Sequence, residues 1–507
     1  MARERDELYS EISLLDVFKR SARSADKRHA RGIRHSLPTI LMLLLIGFLM
    51  GETTFRGICR YFSPTDPVAR EHMLSQLKTF LDLSFGIPSY SCFSRTLAVV
   101  DPLPIVTCYA DFLFQLVPHD GTNQQHLCAD GKALNAAENR ALTGKSLYIV
   151  NIFLAAYHLF TYQIRVGPKS QEGKVLEQEI YDILYQDPSV VTADAMATKK
   201  AILELICKAG SDAVLPVKAN NKHLMNYLLN FITSNVAQED NQVESYLDLN
   251  GFSGSDIPSG FVSNTQCAVF DEDNRKEEGA EGKHPIESLV FFDNVYNYVP
   301  AETDIRPPIN AGRNKKLFYV LVGCRWIPMT YMHGRYERRE YELISDPALI
   351  DDLFAGMAMD GWANVNAVGL VTRYRGERKR DRATKQEYID VSVTRTPYIL
   401  TRAEPAEQFA GHVRNHWAIE EGHNCLDELF REDRSTVRAG NAPETCSLIR
   451  KMAYNMISLL EARRNKDHED KRGRGYCLRQ AMERIKANGI PALGKLLTHR
   501  FRSPFLN

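Results

Sequence analysis

The sequence predicts an α/β protein whose sheet has parallel members, and two observations carry the prediction. Between His126 and Lys218, short runs rich in β-branched and apolar residues alternate with helical segments, the pattern of a sheet with crossover helices. Within that stretch two aspartates, Asp130 and Asp194, each close an apolar run, where a strand end can fix a carboxylate rigidly while it faces solvent.

Taken in order, residues 1 to about 120 alternate basic and apolar helical segments. Leu37 to Met50 is apolar but shorter than the about 20 residues of a bilayer span. It holds Pro38, Thr39 and Gly47, and it reads as a buried core helix with no membrane role. The first strand runs through His126-Leu127-Cys128-Ala129-Asp130-Gly131-Lys132. Ser146 to Tyr157 is β-branched and aromatic, Thr161 to Val166 alternates, and Lys174 to Tyr185 is helical. Ser189 to Asp194 follows Asp187-Pro188 as a strand, Thr198 to Ala209 is a helix, and Ala213 to Lys218 is a strand. Strand, strand, strand, helix, strand, helix, strand is the order of the ribonuclease-H-like fold. The expected organisation is therefore a helical N-terminal segment over 1–120, the first part of a ribonuclease-H-like core over 121–219, a β-rich insertion over 220–404, and the second part of the core over 405–507 with a helical tail. Strand-like runs in the insertion are Leu317 to Val322, Tyr336 to Ile344, Asn364 to Thr372 and Glu387 to Leu400.

A third carboxylate is sought in the helix-like stretch from Val413 to Glu420. At about 100° per residue, His416, Glu420, His423 and Asp427 fall within roughly 60° of one another, while Glu421 is displaced by about 100° from Glu420. Glu420 is the choice. Three converging carboxylates suit a pair of hard divalent cations, which take oxygen ligands and leave sites for phosphate oxygens, so Asp130, Asp194 and Glu420 point to phosphoryl transfer on nucleic acid.

The chain resembles the DDE transposases of bacterial insertion sequences, in the branch of the H-repeat-associated proteins, over most of its length. The matching stretches are Gly86-Ile87-Pro88-Ser89-Tyr90 with Phe93-Ser94-Arg95, Asp130-Gly131-Lys132, Thr192-Ala193-Asp194-Ala195-Met196, and His333-Gly334-Arg335-Tyr336-Glu337-Arg338-Arg339. His416-Trp417-Ala418-Ile419-Glu420, Phe430-Arg431-Glu432-Asp433 and Asn441-Ala442-Pro443-Glu444 complete the series. The resemblance implies catalytic metal ligands at Asp130, Asp194 and Glu420, two Mg²⁺ ions replaceable by Mn²⁺, and a first segment that recognises transposon ends. It implies cleavage at those ends and strand transfer into target DNA, with one ion held by Asp130 and Asp194 and the other by Asp130 and Glu420. Lys132 and Lys218 are expected as phosphate neighbours or surface lysines. His333, Arg335 and Arg339 are expected on one strand face against DNA, with Arg414 and His416 beside the glutamate. A homodimer is expected by analogy, since two ends must be paired. The alternative is a degenerate, catalytically inactive derivative that still binds DNA. Where the wider group has tyrosine and arginine ahead of the glutamate, this chain has Val413 and His416, and Glu421 stands where the branch usually has asparagine.

Composition agrees with these expectations. The chain has 507 residues, 44% apolar and 25% charged, with as many acidic as basic residues, so positive charge for DNA must be segregated. Local basic runs supply it at Lys19 to Arg34, Arg373 to Arg380 and Arg463 to Arg474. Ten cysteines show no Cys-x-x-Cys spacing and read as reduced thiols of a cytoplasmic, nucleoid-associated protein without a leader. A di-iron bundle is disfavoured because Glu420-Glu421-Gly422-His423 has its only echo in a polar loop. Zinc at His416 and His423 lacks a cysteine at metal spacing. Phosphate-binding glycine loops and nucleophile elbows are absent, which speaks against an ATPase or an esterase.

Overall fold

The computed structural model describes residues 12–118, 124–134, 147–166, 172–184, 188–238, 242–248, 282–285, 289–291, 316–322, 325–332, 335–385, 387–465, 474–501 and 503–505. The fold is mixed α/β, and the chain divides into two compact units, residues 1–211 with 415–507 and residues 212–414.

In the first unit, six α-helices among the described residues precede the sheet: α1 (Leu14–Ala25), α2 (Leu37–Leu49), α3 (Phe55–Phe62), α4 (Pro67–Lys78), α5 (Tyr90–Val99) and α6 (Leu103–Phe114). Their starts are fixed locally. Ser13 and Asp16 close a capping box on α1, and Ser36, with Pro38 behind it, caps α2. In α2 every residue but Pro38 is buried, as the expectation of a core helix required. No single described helix is long and apolar enough to cross a membrane; α5 and α6 reach that length only as a pair bent by 88°.

The sheet of this unit is ordered β3, β2, β1, β4, from β1 (Gln125–Leu134), β2 (Leu147–Leu154), β3 (Leu159–Val166) and β4 (Ser189–Ala193). β1, β2 and β3 form an antiparallel meander, and β4 runs parallel to β1, reached through α7 (Glu172–Leu184). α8 (Lys200–Lys208) follows and packs on α7.

In the second unit, β5 (Asp212–Pro216) is followed by α9 (Lys222–Val236), β6 (Glu244–Asp248), β7 (Gly282–Pro285), β8 (Leu289–Phe291), β9 (Lys316–Val322), β10 (Arg325–Met332), β11 (Arg335–Ile344), α10 (Pro347–Phe354), β12 (Ala367–Arg380) and β13 (Glu387–Leu400). Its strands lie in the order β5, β13, β12, β11, β10, β9, β8, all antiparallel, with β6 on β11 and β7 on β13. The strand-like run expected to end at Thr372 continues through the basic run Arg373 to Arg380, which is the far half of β12 and pairs with β13 out to Arg380 and Glu387.

The predicted helix bearing Glu420 is two helices, α11 (Ala406–Asn415) and α12 (Trp417–Phe430). His416 separates them, yet its helical backbone (φ −56°, ψ −31°) keeps the side-chain phase running across the break. α12 ends at Arg431 in the left-handed region (φ 48°, ψ 44°). α13 (Ala442–Asn465) and α14 (Arg474–Thr498, bent at Gly489) finish the first unit. One apolar core joins α1–α6, the inner residues of β1–β3, and α12–α14.

Candidate active site

Ala129 of β1 lies opposite Ala193, the last residue of β4, so Asp130 follows the pair within β1 and Asp194 follows it just beyond β4. Asp194 continues with extended backbone (φ −68°, ψ 160°) and is exposed, while Asp130 is half-buried. Asp130 Oδ1 accepts the Gly131 N–H at 2.9 Å, and its Oδ2 lies 3.3 Å from His423 Nδ1.

The stripe His416, Glu420, His423, Asp427 is a ladder between α12 and this sheet. His416 Nδ1 meets the Thr192 hydroxyl at 3.0 Å, two residues before Asp194. His423 reaches Asp130 and, through Nε2, Asn151 Nδ2 at 2.8 Å. Asp427 Oδ2 accepts from Lys132 Nζ at 2.6 Å. Glu420, one turn before His423, is the exposed member of the stripe. Its helix lies close to the sheet because Gly422 has no side chain: a Cβ there would meet Phe160 Cζ at 2.9 Å and Phe153 Cε2 at 3.2 Å.

Asp130 lies within β1 and not at a strand end as its apolar run suggests, Asp194 lies just past the end of β4, and Glu420 is exposed on α12, all in the first unit. Among the described residues, however, no three His, Cys, Asp or Glu side chains stand as a ready-made metal group. The donor chemistry still fits a hard divalent cation, since the carboxylates offer oxygen only. Softer donors are turned away: His416 and His423 are engaged as above, and burial pushes the Cys128 thiol up to about 12, leaving it protonated beneath the aspartate. Burial likewise pushes the His423 imidazole below its ordinary range, so the ring is neutral.

Lys132, expected as a phosphate neighbour or a surface lysine, points inward. Two residues beyond Asp130 on the same strand face, it is covered by α12 and the turn that follows. Its Nζ sits 3.3 Å from the His423 carbonyl, 3.8 Å from Glu432 and 4.0 Å from Asp433, besides Asp427. Burial raises the Asp427 carboxyl above the usual range against the lowering pull of Lys132, with smaller upward contributions from Asp433 and Glu432. For Glu432 burial acts upward too, but Lys451, Lys132 and Arg450 outweigh it and hold the group below its ordinary value. Lys451, buried on α13, donates to Gln163 Oε1 at 2.6 Å and Ser447 Oγ at 2.9 Å, and burial lowers it to about 7.

In the second unit, Lys218 is exposed just past β5. Arg335 and Arg339 share a face of β11 with Glu337, at 2.6 and 3.3 Å, and Arg373 of β12 joins at 2.8 Å. These cations outweigh burial and keep Glu337 below its usual range. Arg339 also lies 3.8 Å from Asp248, to which Arg414 is paired. Four arginines around two carboxylates leave this patch net positive. His333 lies outside the described residues. Sequence reasoning passed over Asn151, and it weighed His423 as a zinc ligand against a place in a polar network without naming the partners; the signal for both is the cross-strand pair Asp130–Asn151, visible only once register is known.

Residues 121–456, more than half of the chain, match the family model of the transposase DDE domain, and residues 22–113 match the segment described as DDE_Tnp_1-associated. The protein YbfL of Escherichia coli (strain K12) is 22% identical over 438 residues, covering 85% of this chain and 88% of its own. The H repeat-associated putative transposase YhhI of the same strain shows the same identity and coverage. Among solved structures, a piggyBac transposase synaptic complex with hairpin DNA aligns at 8% identity and a TM-score of 0.34, over 96% of this chain and 80% of its own, too slight a likeness to speak for a shared fold.

Proposed function

We propose that this chain, which belongs to the DDE transposase family in its H-repeat-associated branch, cuts DNA at transposon ends and joins those ends to target DNA, with Asp130, Asp194 and Glu420 as the catalytic carboxylates. The observation that carries this reading is the ladder from α12 to the sheet, in which the two contacts nearest Glu420 are made to Asp130 itself and to Thr192, two residues before Asp194. The order β3, β2, β1, β4, with β4 parallel to β1, supports a ribonuclease-H-like core around them.

The three carboxylates would hold divalent cations, Mg²⁺ or Mn²⁺, which would neutralise phosphate charge and make a bound water or hydroxyl more acidic. Asp130 is fixed by the Gly131 N–H and by His423, and Asp194, just past β4, and Glu420, on α12, would complete the ligand set. Water displaces the 3′-oxygen at the end phosphodiester, leaving a 3′-hydroxyl and a 5′-phosphate. That hydroxyl then attacks a target phosphodiester at the same carboxylates, forming one P–O bond as another breaks. Arg335, Arg339, Arg373, Arg414 and Lys218, with His333, supply phosphate contacts. Lys132 and His416 act as ties between sheet and helix. Residues 1–120 recognise transposon ends, and two copies pair the two ends.

Asp130→Asn is the test. Cleavage of an end-containing duplex should be lost while DNA affinity is kept; full cleavage by the variant would refute the assignment. Binding without any cleavage by the wild type would identify a non-cutting DNA-binding derivative instead.

A further inference from the structure

Asp130 and Asn151 face each other across β1 and β2, and both project from the face covered by α12. The His423 ring spans them, with Nδ1 3.3 Å from Asp130 Oδ2 and Nε2 2.8 Å from Asn151 Nδ2. Asn151 is fully buried and His423 nearly so, and the imidazole is stacked on Phe160 with ring centroids 5.7 Å apart. The chemistry fixes the polarity of this chain of hydrogen bonds. An ionised carboxylate only accepts, so Nδ1 must carry the proton; a neutral ring then offers Nε2 as an acceptor, and Asn151 must present its amide nitrogen. The next cross-strand neighbour, Gln163, is in turn held through its carbonyl oxygen by Lys451.

We propose that His423 is a positioning residue for the transposition reaction: its imidazole, held as the Nδ1–H tautomer by Asn151, fixes the Asp130 carboxylate in the orientation that receives a divalent cation. One oxygen of Asp130 is tied to the ring and the other to the Gly131 N–H. The arrangement is the one by which partners behind a metal ligand orient it, and loss of such a partner costs about 10–100-fold in metal affinity. Oδ1 is held by the adjacent Gly131 N–H and Oδ2 by the ring, so among the described residues it is the imidazole that sets the rotation of the carboxylate from outside its own strand. This inference rests on the reading of Asp130 as a metal ligand.

The test is titration of the full chain with Mn²⁺ alone, followed by the paramagnetic resonance of the free ion, with duplex affinity and circular dichroism measured alongside. His423→Leu should weaken Mn²⁺ binding about 10-fold or more while DNA affinity is unchanged. His423→Asn, whose amide nitrogen stands where Nδ1 stood, should recover binding to within a few-fold; His423→Gln, which mimics Nε2, should not. A wild-type affinity in His423→Leu, or an equal loss in the asparagine and leucine variants, would overturn the proposal. Asp130→Asn separates the two levels: if it loses Mn²⁺ while His423→Leu does not, only the positioning role fails, and if it binds Mn²⁺ as the wild type does, the ligand assignment fails and this inference with it. Should His423→Leu not fold, Asn151→Leu carries the test, since it keeps the ring and removes the donor that fixes its tautomer. A loss of several-fold is expected there, and no loss overturns the proposal.

Discussion

Lys451 is a cation held where a cation is costly. Its value of about 7 lies below the ordinary 10.5, so between those pH values the unfolded chain keeps a proton that the folded chain has released. Stability should therefore rise with pH through that window, the penalty being complete below it. Urea unfolding at pH 7 and pH 8.5 should show a gain of about 1–2 kcal/mol in the wild type and a much smaller gain in Lys451→Met. Residue-level chemistry was partly legible in the sequence. Asp130 and Asp194 announce themselves because each ends an apolar run, but the inward turn of Lys132 depends on Asp427, which is 295 positions away. Period-two alternation puts Lys132 on the face of Asp130; only tertiary structure says that a helix covers it.

The element that decides the site is α12. Its buried stripe, Ile419, Gly422, His423, Leu426 and Phe430, seats it on the sheet, and Gly422 sets the distance. Gly422→Val should drive two methyl groups into the Phe160 and Phe153 rings, cost about 1–3 kcal/mol by overpacking, and move Glu420 away from the aspartates. Thermal unfolding and cleavage assays on the variant check both effects; an unchanged melting point with unchanged cleavage would mean that the helix does not need this approach. The phase of α12 was readable from spacing alone, and it singled out the stripe whose members tie helix to sheet. The break at His416 was not, because no proline, glycine or capping side chain marks it and the residue keeps helical backbone angles.

Across the whole chain, 63 basic and 63 acidic residues cancel, so any affinity for DNA must come from where charge sits. The arginine face of β11 and β12 is one such place, with Arg335, Arg339 and Arg373 around a single buried Glu337. Arg335→Ala with Arg373→Ala should weaken duplex binding across all sequences and lower the slope of log affinity against log salt by about one for each phosphate no longer neutralised. An unchanged salt slope would take this face out of the DNA interface. The strand pattern made the alternating α/β core legible, and β13 with it, whereas the far half of β12 was not, because arginines and lysines on a strand read like those of a solvated run.

Whether Asp130, Asp194 and Glu420 act together on DNA is decided by a single comparison. A labelled duplex carrying the element's own end sequence is incubated with Mg²⁺ or Mn²⁺ and with either the wild type or Glu420→Gln. Metal-dependent nicking and joined products are expected with the wild type, and neither with the variant at equal DNA binding. Joined products from Glu420→Gln at the wild-type rate would contradict the shared role of the three carboxylates.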